Sequence, residues 1–427
     1  MNAIDQLIYK SLPGPDDITR VELANGLTII TRSNFSSPSV VLNGYLNTGS
    51  IFDPEDKLGL NVFTASMLTR GTEKHSFNQF FDLLESAGAS LNFGGNVHTT
   101  SFNGKSLVED FPMLIDLLRE TASTPSFPPD QVEKFRTQLL TGLAIRNQDT
   151  AEMASLAFDQ ILFAGHPYRF PEEGNPETIQ RITRQDLIDF HRTHYGPRGM
   201  VIVVVGAIDP AQVVDQISSR MGDWVNPNQP DQPEIPTLTP LMETRREQIR
   251  IAGKSQADIV LGCTSPLRKS DDYMPASLGN NILGVFGMMG RIGDIVRVQS
   301  GLAYYAYTSL NSGTGPGSWE VSAGVNPENI EKAIQLIQAE IERFVTHPVS
   351  DEELKDSKAN YIGRLPLSME SNAGVAGALL SMERYQLGLD YYQRYPGLVQ
   401  SVTPDDILAV VQKYLHPDQM AIAVAGP

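Results

Sequence analysis

Arg297 and Tyr304 stand seven positions apart in the stretch RVQSGLAYYAYTSL, Arg297–Leu310. A guanidinium can hold a carboxylate or align peptide carbonyls through its planar fork of donors. A phenol can donate to an oxygen that gains negative charge during acyl transfer. The stretch opens like the end of a helix and turns into a strand. On a strand of period two, Tyr305 and Tyr307 fall on the face opposite Tyr304, and they are expected to be packing residues. An exposed Arg and a half-buried strand Tyr occur in many proteins, so the pair gains meaning only from the rest of the chain.

No other chemistry competes strongly. The seven histidines are His75, His98, His166, His191, His194, His347 and His416. Only His191 and His194 lie close, as HRTH on a helix, and without a third ligand they are expected to form a solvated helix end. Neither H-E-x-x-H nor H-x-x-E-H occurs, nor does G-x-S-x-G. The glycine-rich Gly284–Gly293 segment, GVFGMMGRIG, matches neither G-x-G-x-x-G nor a P-loop. One cysteine, Cys263 in DIVLGCTS, excludes an intramolecular disulfide and a Cys-based zinc cluster. Its strand-like neighbours predict a buried thiol.

Composition narrows the partners. A net charge of -17 argues against nucleic acid, whose phosphates need clustered Lys and Arg. Hydrophobic residues make up 41% of the 427, but no run reaches the roughly 20 apolar residues of a membrane helix. The opening MNAIDQLIYKSLPGPDD lacks a cationic segment followed by an apolar one, so no leader and a cytoplasmic location are expected.

The elements that must position Arg297 and Tyr304 come in two echoing sets. A five-proline stretch, Asn226–Pro240, divides the chain and is expected to run extended over the surface. Before it, TRQDLIDFHRTHYGPRGMVIVVVGAIDP closes the first part; TPDDILAVVQKYLHPDQMAIAVAGP closes the second. At an offset of 220 positions Thr183 meets Thr403, Asp186 meets Asp406, Pro197 meets Pro417 and Gly206 meets Gly426. Each copy reads as a capped amphipathic helix, a proline-marked turn and an apolar strand. PPDQVEKFRTQLL and SDEELKDSKANYI occupy comparable earlier places. Two copies at this period indicate a domain duplication. The expected division is 1–225, a linker at 226–240, and 241–427. The expected class is α+β, two homologous domains, each a mostly antiparallel sheet backed by helices. Within the first, Asn25-Gly26 marks a turn, Ser76 with Gln79 a capping box, Gly88 a helix stop, and a long helix is expected from about Pro129 to Asn147. In the second, Asn326 should cap a helix with Pro327 in its first turn.

In this order the segments NGLTIITRSN, GYLNTGSIFDP, LTRGTEKHSFNQFFDLLESAGASLN, FAGHPYRFPEEGNPETIQRITRQDLIDFHRTHYGPRGMVIVVVG and RVQSGLAYYAY resemble the pitrilysin-like metallopeptidases, the inverzincins, over nearly the whole chain. The likeness is to their two-domain bacterial members. Active members carry H-x-x-E-H just before the position of Gly71-Thr72: two zinc ligands and the glutamate that activates water. Here Val62, Ala65 and Ser66 stand at those three places. The third ligand, a glutamate on a later helix, should fall near Leu139–Leu143, yet Lys134–Gln148 contains no carboxylate. The matching second-half stretch MPASLGNNILGVFGMM has no ligands either. Val and Ala cannot bind zinc and a lone Ser is a poor ligand.

The resemblance also gives Arg297 and Tyr304 a place, because the family uses an R-x6-Y pair that reaches across to the substrate, although RVQS replaces the usual charges after the Arg. It therefore implies a non-catalytic subunit of a heterodimeric zinc peptidase, inactive alone and holding no cofactor. The expected partner is a homologous H-x-x-E-H chain that carries the zinc, and the substrate a peptide or unfolded segment. The rival expectation is a zinc-free scaffold or recognition subunit of a larger assembly, with no part in proteolysis. The Arg297–Tyr304 pair discriminates, since a scaffold needs neither side chain.

Overall fold

The computed structural model describes residues 12–427. The beginning of the N-terminal segment read above for a leader lies outside the described residues. Among the described residues, no helix is long and apolar enough to cross a membrane. Two compact units form. Of the described residues, the first comprises 12–143, 171–234 and 366–393, and the second 144–170, 235–365 and 394–427.

The first unit holds a six-stranded sheet in the order β1-β2-β6-β3-β5-β4. The strands are β1 Thr19–Glu22, β2 Thr28–Ser33, β3 Ser39–Leu46, β4 Ser90–Gly95, β5 Thr100–Leu107 and β6 Val201–Gly206. β2 and β6 run parallel with Thr28 opposite Val201, and the other neighbours are antiparallel. The continuous apolar run of β6 is buried throughout, as a strand covered on both faces requires. The second sheet runs β7-β11-β8-β10-β9. Its strands are β7 Arg245–Arg250, β8 Ala257–Ser265, β9 Ala303–Asn311, β10 Gly317–Val325 and β11 Ala421–Gly426. β7 and β11 are again parallel and the rest antiparallel. Strand for strand the second order repeats the first, except that β1 has no counterpart. The α+β class and the duplication therefore hold.

The helices follow the same echo. In the first unit lie α1 Leu60–Met67, α2 Phe77–Ser86, α3 Phe111–Ser123, the long α4 Pro129–Arg146, α6 Pro176–Arg181, α7 Arg184–His194 and α8 Pro210–Met221, with α5 Thr150–Leu162 following α4 in sequence. In the second half come α9 Tyr273–Gly284, α10 Phe286–Gly293, α11 Ile330–Thr346, α12 Asp351–Ser368, α13 Asn372–Arg384, α14 Tyr391–Ser401 and α15 Pro404–Tyr414. The Ser76–Gln79 capping box forms, and identical boxes start α7 at Thr183–Asp186 and α15 at Thr403–Asp406. Asn326 caps a single turn, Pro327–Asn329, that leads into α11.

The compact units cut across the sequence division. Helix α5, from the first half of the chain, belongs to the second unit, and α13, from the second half, belongs to the first. Helix α5 lays Ala154, Phe158 and Ile161 against Val260, Ala421, Ala423 and Ala425. The small residues of β11 let the helix lie close on the sheet. The duplication thus exchanges one helix in each direction, which no local sequence signal marks. Residues 226–240 form neither helix nor strand and are mostly exposed. They are nevertheless anchored: Gln229 is buried and bonds both the N–H and the carbonyl of Arg198.

One expectation fails in the first unit. His191 and His194 are half-buried rather than solvated. His191 Nε2 lies 3.0 Å from the Ala122 carbonyl and its ring stacks on Tyr195. His194 packs between Phe52 and Phe190, with centroids 4.6 and 4.5 Å away, and its Nδ1 has no hydrogen-bond partner. Burial pushes both imidazoles down to about 4, because an apolar surround disfavours the charged ring. Their folded values lie below the unfolded one of about 6.5. The unfolded chain therefore binds more protons between those limits, and stability falls as the pH drops from about 6.5 to 4. His194→Phe keeps the ring and deletes both the unpartnered nitrogen and the proton. We expect its urea midpoint at pH 5 to exceed that of the parent by more than at pH 7.5. An equal difference at the two pH values would refute the buried-neutral assignment.

Candidate functional site

Helix α1 occupies the place where the resemblance puts the zinc motif. Its start is built by Asp53, whose two carboxylate oxygens accept the N–H groups of Gly59 and Asn61, each at 3.0 Å. These are first-turn donors with no partner in the helix itself. Burial raises the Asp53 carboxyl well above its ordinary range, against the pull of those bonds. The Asn61 side chain is wholly buried and takes a hydrogen bond from Thr100 Oγ1, which also meets the Tyr195 hydroxyl. Polar side chains therefore hold α1 at its start.

Farther along, apolar contacts tie α1 to α4. Phe63 is fully buried, with its ring 5.4 Å from that of Phe135. Arg136 lies over the Phe63 ring at 5.4 Å. Arg70, just past α1, lies 4.6 Å from the Phe135 ring and donates to Gln138 Oε1 at 2.8 Å. A shared metal would bridge these same two helices in an active relative. Val62 and Ser66 are half-buried, Ala65 is fully buried, and Leu139, Leu140 and Leu143 of α4 pack into the core. Among the described residues no three His, Cys, Asp or Glu side chains gather as metal ligands. This donor set does not fit zinc.

Arg297 and Tyr304 lie in the second unit, on adjoining elements of irregular geometry. Arg297 sits on a wide π-helical turn, Asp294–Gln299. Such turns are rare and often functional. Nearby Arg291 is fully committed, to Glu353 at 2.7 Å and over the Phe344 ring at 5.2 Å, and it holds the Glu353 carboxyl down at about 2. Arg297 differs: its half-buried guanidinium has no hydrogen-bond or ion-pair partner among the described residues.

Tyr304 stands at the beginning of β9, the edge strand of its sheet. Opposite it, Gly324 pairs with Tyr305 and Val325 with Ala303, so the ladder skips Tyr304. It is the extra residue of a β-bulge, a device that re-aims a side chain. Tyr304 is 63% exposed, whereas Ala306 and Thr308, next on the same face, are buried. The sequence reading missed this bulge, because nothing in AYYAY distinguishes a skipped residue from a paired one.

The other tyrosines need correction. They do share a face, with ring centroids 5.6 Å apart. Tyr305, however, is a polar anchor: its hydroxyl donates to Asp258 Oδ1 at 2.5 Å. Asp258 is 1% exposed and also receives Gln256 Nε2 at 2.9 Å and the Thr150 hydroxyl. Burial and this carboxylate raise the phenol of Tyr305 above its ordinary value. Tyr307 is too exposed to be packing. Cys263 is buried as expected, and its thiol is pushed up to about 11 by burial.

An apolar rim, also unanticipated, accompanies the pair. Val285, Phe286, Val298 and Tyr307 are all exposed, within a short span of the same unit. The glycine-rich segment supplies the first two. Gly284 lies so close to Thr308 that a Cβ there would come within 2.4 Å of its side chain, and Gly290 adopts a left-handed φ of 63°. Gly284 thus serves close backbone approach to β9 and Gly290 a left-handed turn, uses distinct from phosphate binding.

The second unit thus offers a guanidinium with no anion partner among the described residues, a phenol raised out of the ladder and several exposed apolar side chains. Comparison with known proteins agrees in family. Residues 28–168 match the model described as Insulinase (Peptidase family M16), and residues 181–361 match Peptidase M16 inactive domain. The chain belongs to the pitrilysin-like M16 metallopeptidase family. It is 23% identical to an uncharacterized zinc protease of Streptomyces coelicolor, over 99% of this chain and 92% of that protein. It is 22% identical to the non-peptidase homolog YmxG of Helicobacter pylori, over 93% of this chain and 91% of that protein. The crystal structure of a peptidase M16 inactive domain from Pseudomonas fluorescens superposes with a TM-score of 0.89 at 25% identity, covering 96% of this chain and 98% of that one. The likeness to the inactive domain and to the non-peptidase homolog supports a non-catalytic member of the family.

Proposed function

We propose that this chain is the non-catalytic, substrate-binding subunit of a heterodimeric zinc peptidase that cleaves peptides or unfolded segments. The observation that carries the reading is Arg297, without a partner among the described residues, on the turn that precedes the strand bearing the bulged, exposed Tyr304. Both side chains leave donors unsatisfied where a scaffold would pair or bury them. Arg297 holds substrate carbonyls and keeps the peptide extended. Tyr304 donates to the oxygen that becomes negative as the scissile carbonyl turns tetrahedral. Edge strand β9 offers backbone groups to an added strand, and the apolar rim receives side chains. Water activation falls to a homologous partner carrying H-x-x-E-H, since Val62, Ala65 and Ser66 can neither bind the metal nor remove a proton.

The test mixes the purified chain with such a homologue from the same organism. Neither alone should cleave a quenched fluorescent peptide at an appreciable rate; the mixture should, with loss of activity on chelation. A mixture no faster than the zinc-bearing chain alone, with no complex in sedimentation, would favour the scaffold reading.

A further inference from the structure

The first unit contains an open cleft of about 770 Å³ between the start of α2, the first turns of α4 and the residues just beyond α1. That volume is within the range of ligand sites. Its walls include Arg70, Phe77, Asn78, Asp130, Lys134 and Gln138. Arg70 decides its chemistry. The guanidinium lies 5.8 Å from the Phe77 ring and 4.6 Å from the Phe135 ring. Its one hydrogen bond is to the neutral Gln138 side chain, and it has no carboxylate partner among the described residues. Most of its five donors are therefore uncommitted.

Asp130, the one acidic group of the cleft wall, does not serve Arg70. Its Oδ2 is taken by Lys134 Nζ at 3.2 Å and Gln131 Nε2 at 2.9 Å. Phe77 and Asn78 form the first turn of α2, where the helix dipole favours negative charge. A guanidinium held against aromatic rings keeps its edge donors in a fixed fork that matches a carboxylate. In a chain of net charge -17, an Arg without an acid beside it is conspicuous.

We propose that this cleft is a second binding site, taking a carboxylate on Arg70 with an apolar or aromatic group against Phe77. Two sources share this chemistry: an acidic side chain on a peptide, and a free dicarboxylate. The site is in a different unit from Arg297 and Tyr304. Its test needs no zinc-bearing partner, so its failure is separate from failure of the proposed function.

The probes are a fluorescein-labelled peptide of alternating Glu and Phe, the same peptide with Gln for Glu, and glutarate as an unlabelled competitor. Fluorescence anisotropy on the full-length chain should show binding of the Glu peptide and at least about tenfold weaker binding of the Gln peptide, the usual size of a charged hydrogen-bond loss. Arg70→Gln should weaken the Glu peptide about 10- to 100-fold, while Lys105→Gln, an equal charge change on β5, should leave it within about twofold. Equal melting curves must first show that both variants fold. Glutarate that displaces the peptide only at far higher concentration assigns the site to peptides; displacement at equal concentration assigns it to small dicarboxylates, and either supports the carboxylate site. Binding unchanged by Arg70→Gln, equally weakened by Lys105→Gln, or absent for both probes overturns it.

Discussion

Tyr304→Phe in the reconstituted heterodimer should lower kcat about 100- to 1,000-fold, the usual effect of removing one donor to a developing oxyanion. The substitution deletes a hydroxyl on a residue 63% exposed that has no partner among the described residues, so folding and assembly should be unchanged. The loss should fall on kcat with KM nearly constant, because this bond strengthens only as the carbonyl turns tetrahedral. Arg297→Ala should differ by raising KM as well, since a carbonyl clamp acts on bound substrate before reaction. The control is Phe35→Leu, an exposed side chain of the first unit outside the candidate site, which should change little. Tyr305→Phe is unsuitable, because it strips the buried Asp258 of a hydrogen bond and risks destabilising the unit. Steady-state hydrolysis by each rebuilt heterodimer measures this. Near-normal kcat and kcat/KM for Tyr304→Phe would leave β9 as a structural edge and make the scaffold reading the better one.

Phe63→Ala should cost the first unit about 3–5 kcal/mol, the range for truncating a buried aromatic. Phe63 is the centre of the α1–α4 junction, touching Phe135 and lying beneath Arg136. If packing alone joins these helices, a chelator should leave the parent's melting temperature unchanged, and metal analysis should find less than stoichiometric zinc. Phe63→Ala should lower that melting temperature by several degrees with or without chelator. A fall on adding EDTA to the parent would contradict a metal-free junction, whatever the variant did. The two results together separate a helix held by its core face from one held by a metal.

Much of the architecture was legible because it rests on local chemistry. The echo of Thr183–Gly206 in Thr403–Gly426 foretold two like units, since capping boxes and apolar strands are written in adjacent residues. Helix α4 was read to within a residue from its proline start. The absence of H-x-x-E-H is itself a statement about residue type: no fold turns Val62 and Ala65 into metal donors.

The remainder needed long-range contacts. His191 and His194 look polar and terminal in sequence, yet Phe52, Phe190 and Tyr195 enclose them, and their neutrality follows from that surround. Tyr305 differs from Tyr304 only through Asp258, 47 residues away in the chain, and through a skipped rung opposite Gly324. The exchange of α5 and α13 between units is invisible in either helix, since an amphipathic face does not say which sheet covers it. Arg70 stood out as a candidate only once Asp130 was seen to bond Lys134 and Gln131, and Arg297 only once no partner was found for it among the described residues. Residue type thus determined which metal donors helix α1 can offer, whereas the tertiary structure decided which donors lack a partner among the described residues, because pairing depends on the groups that folding brings near.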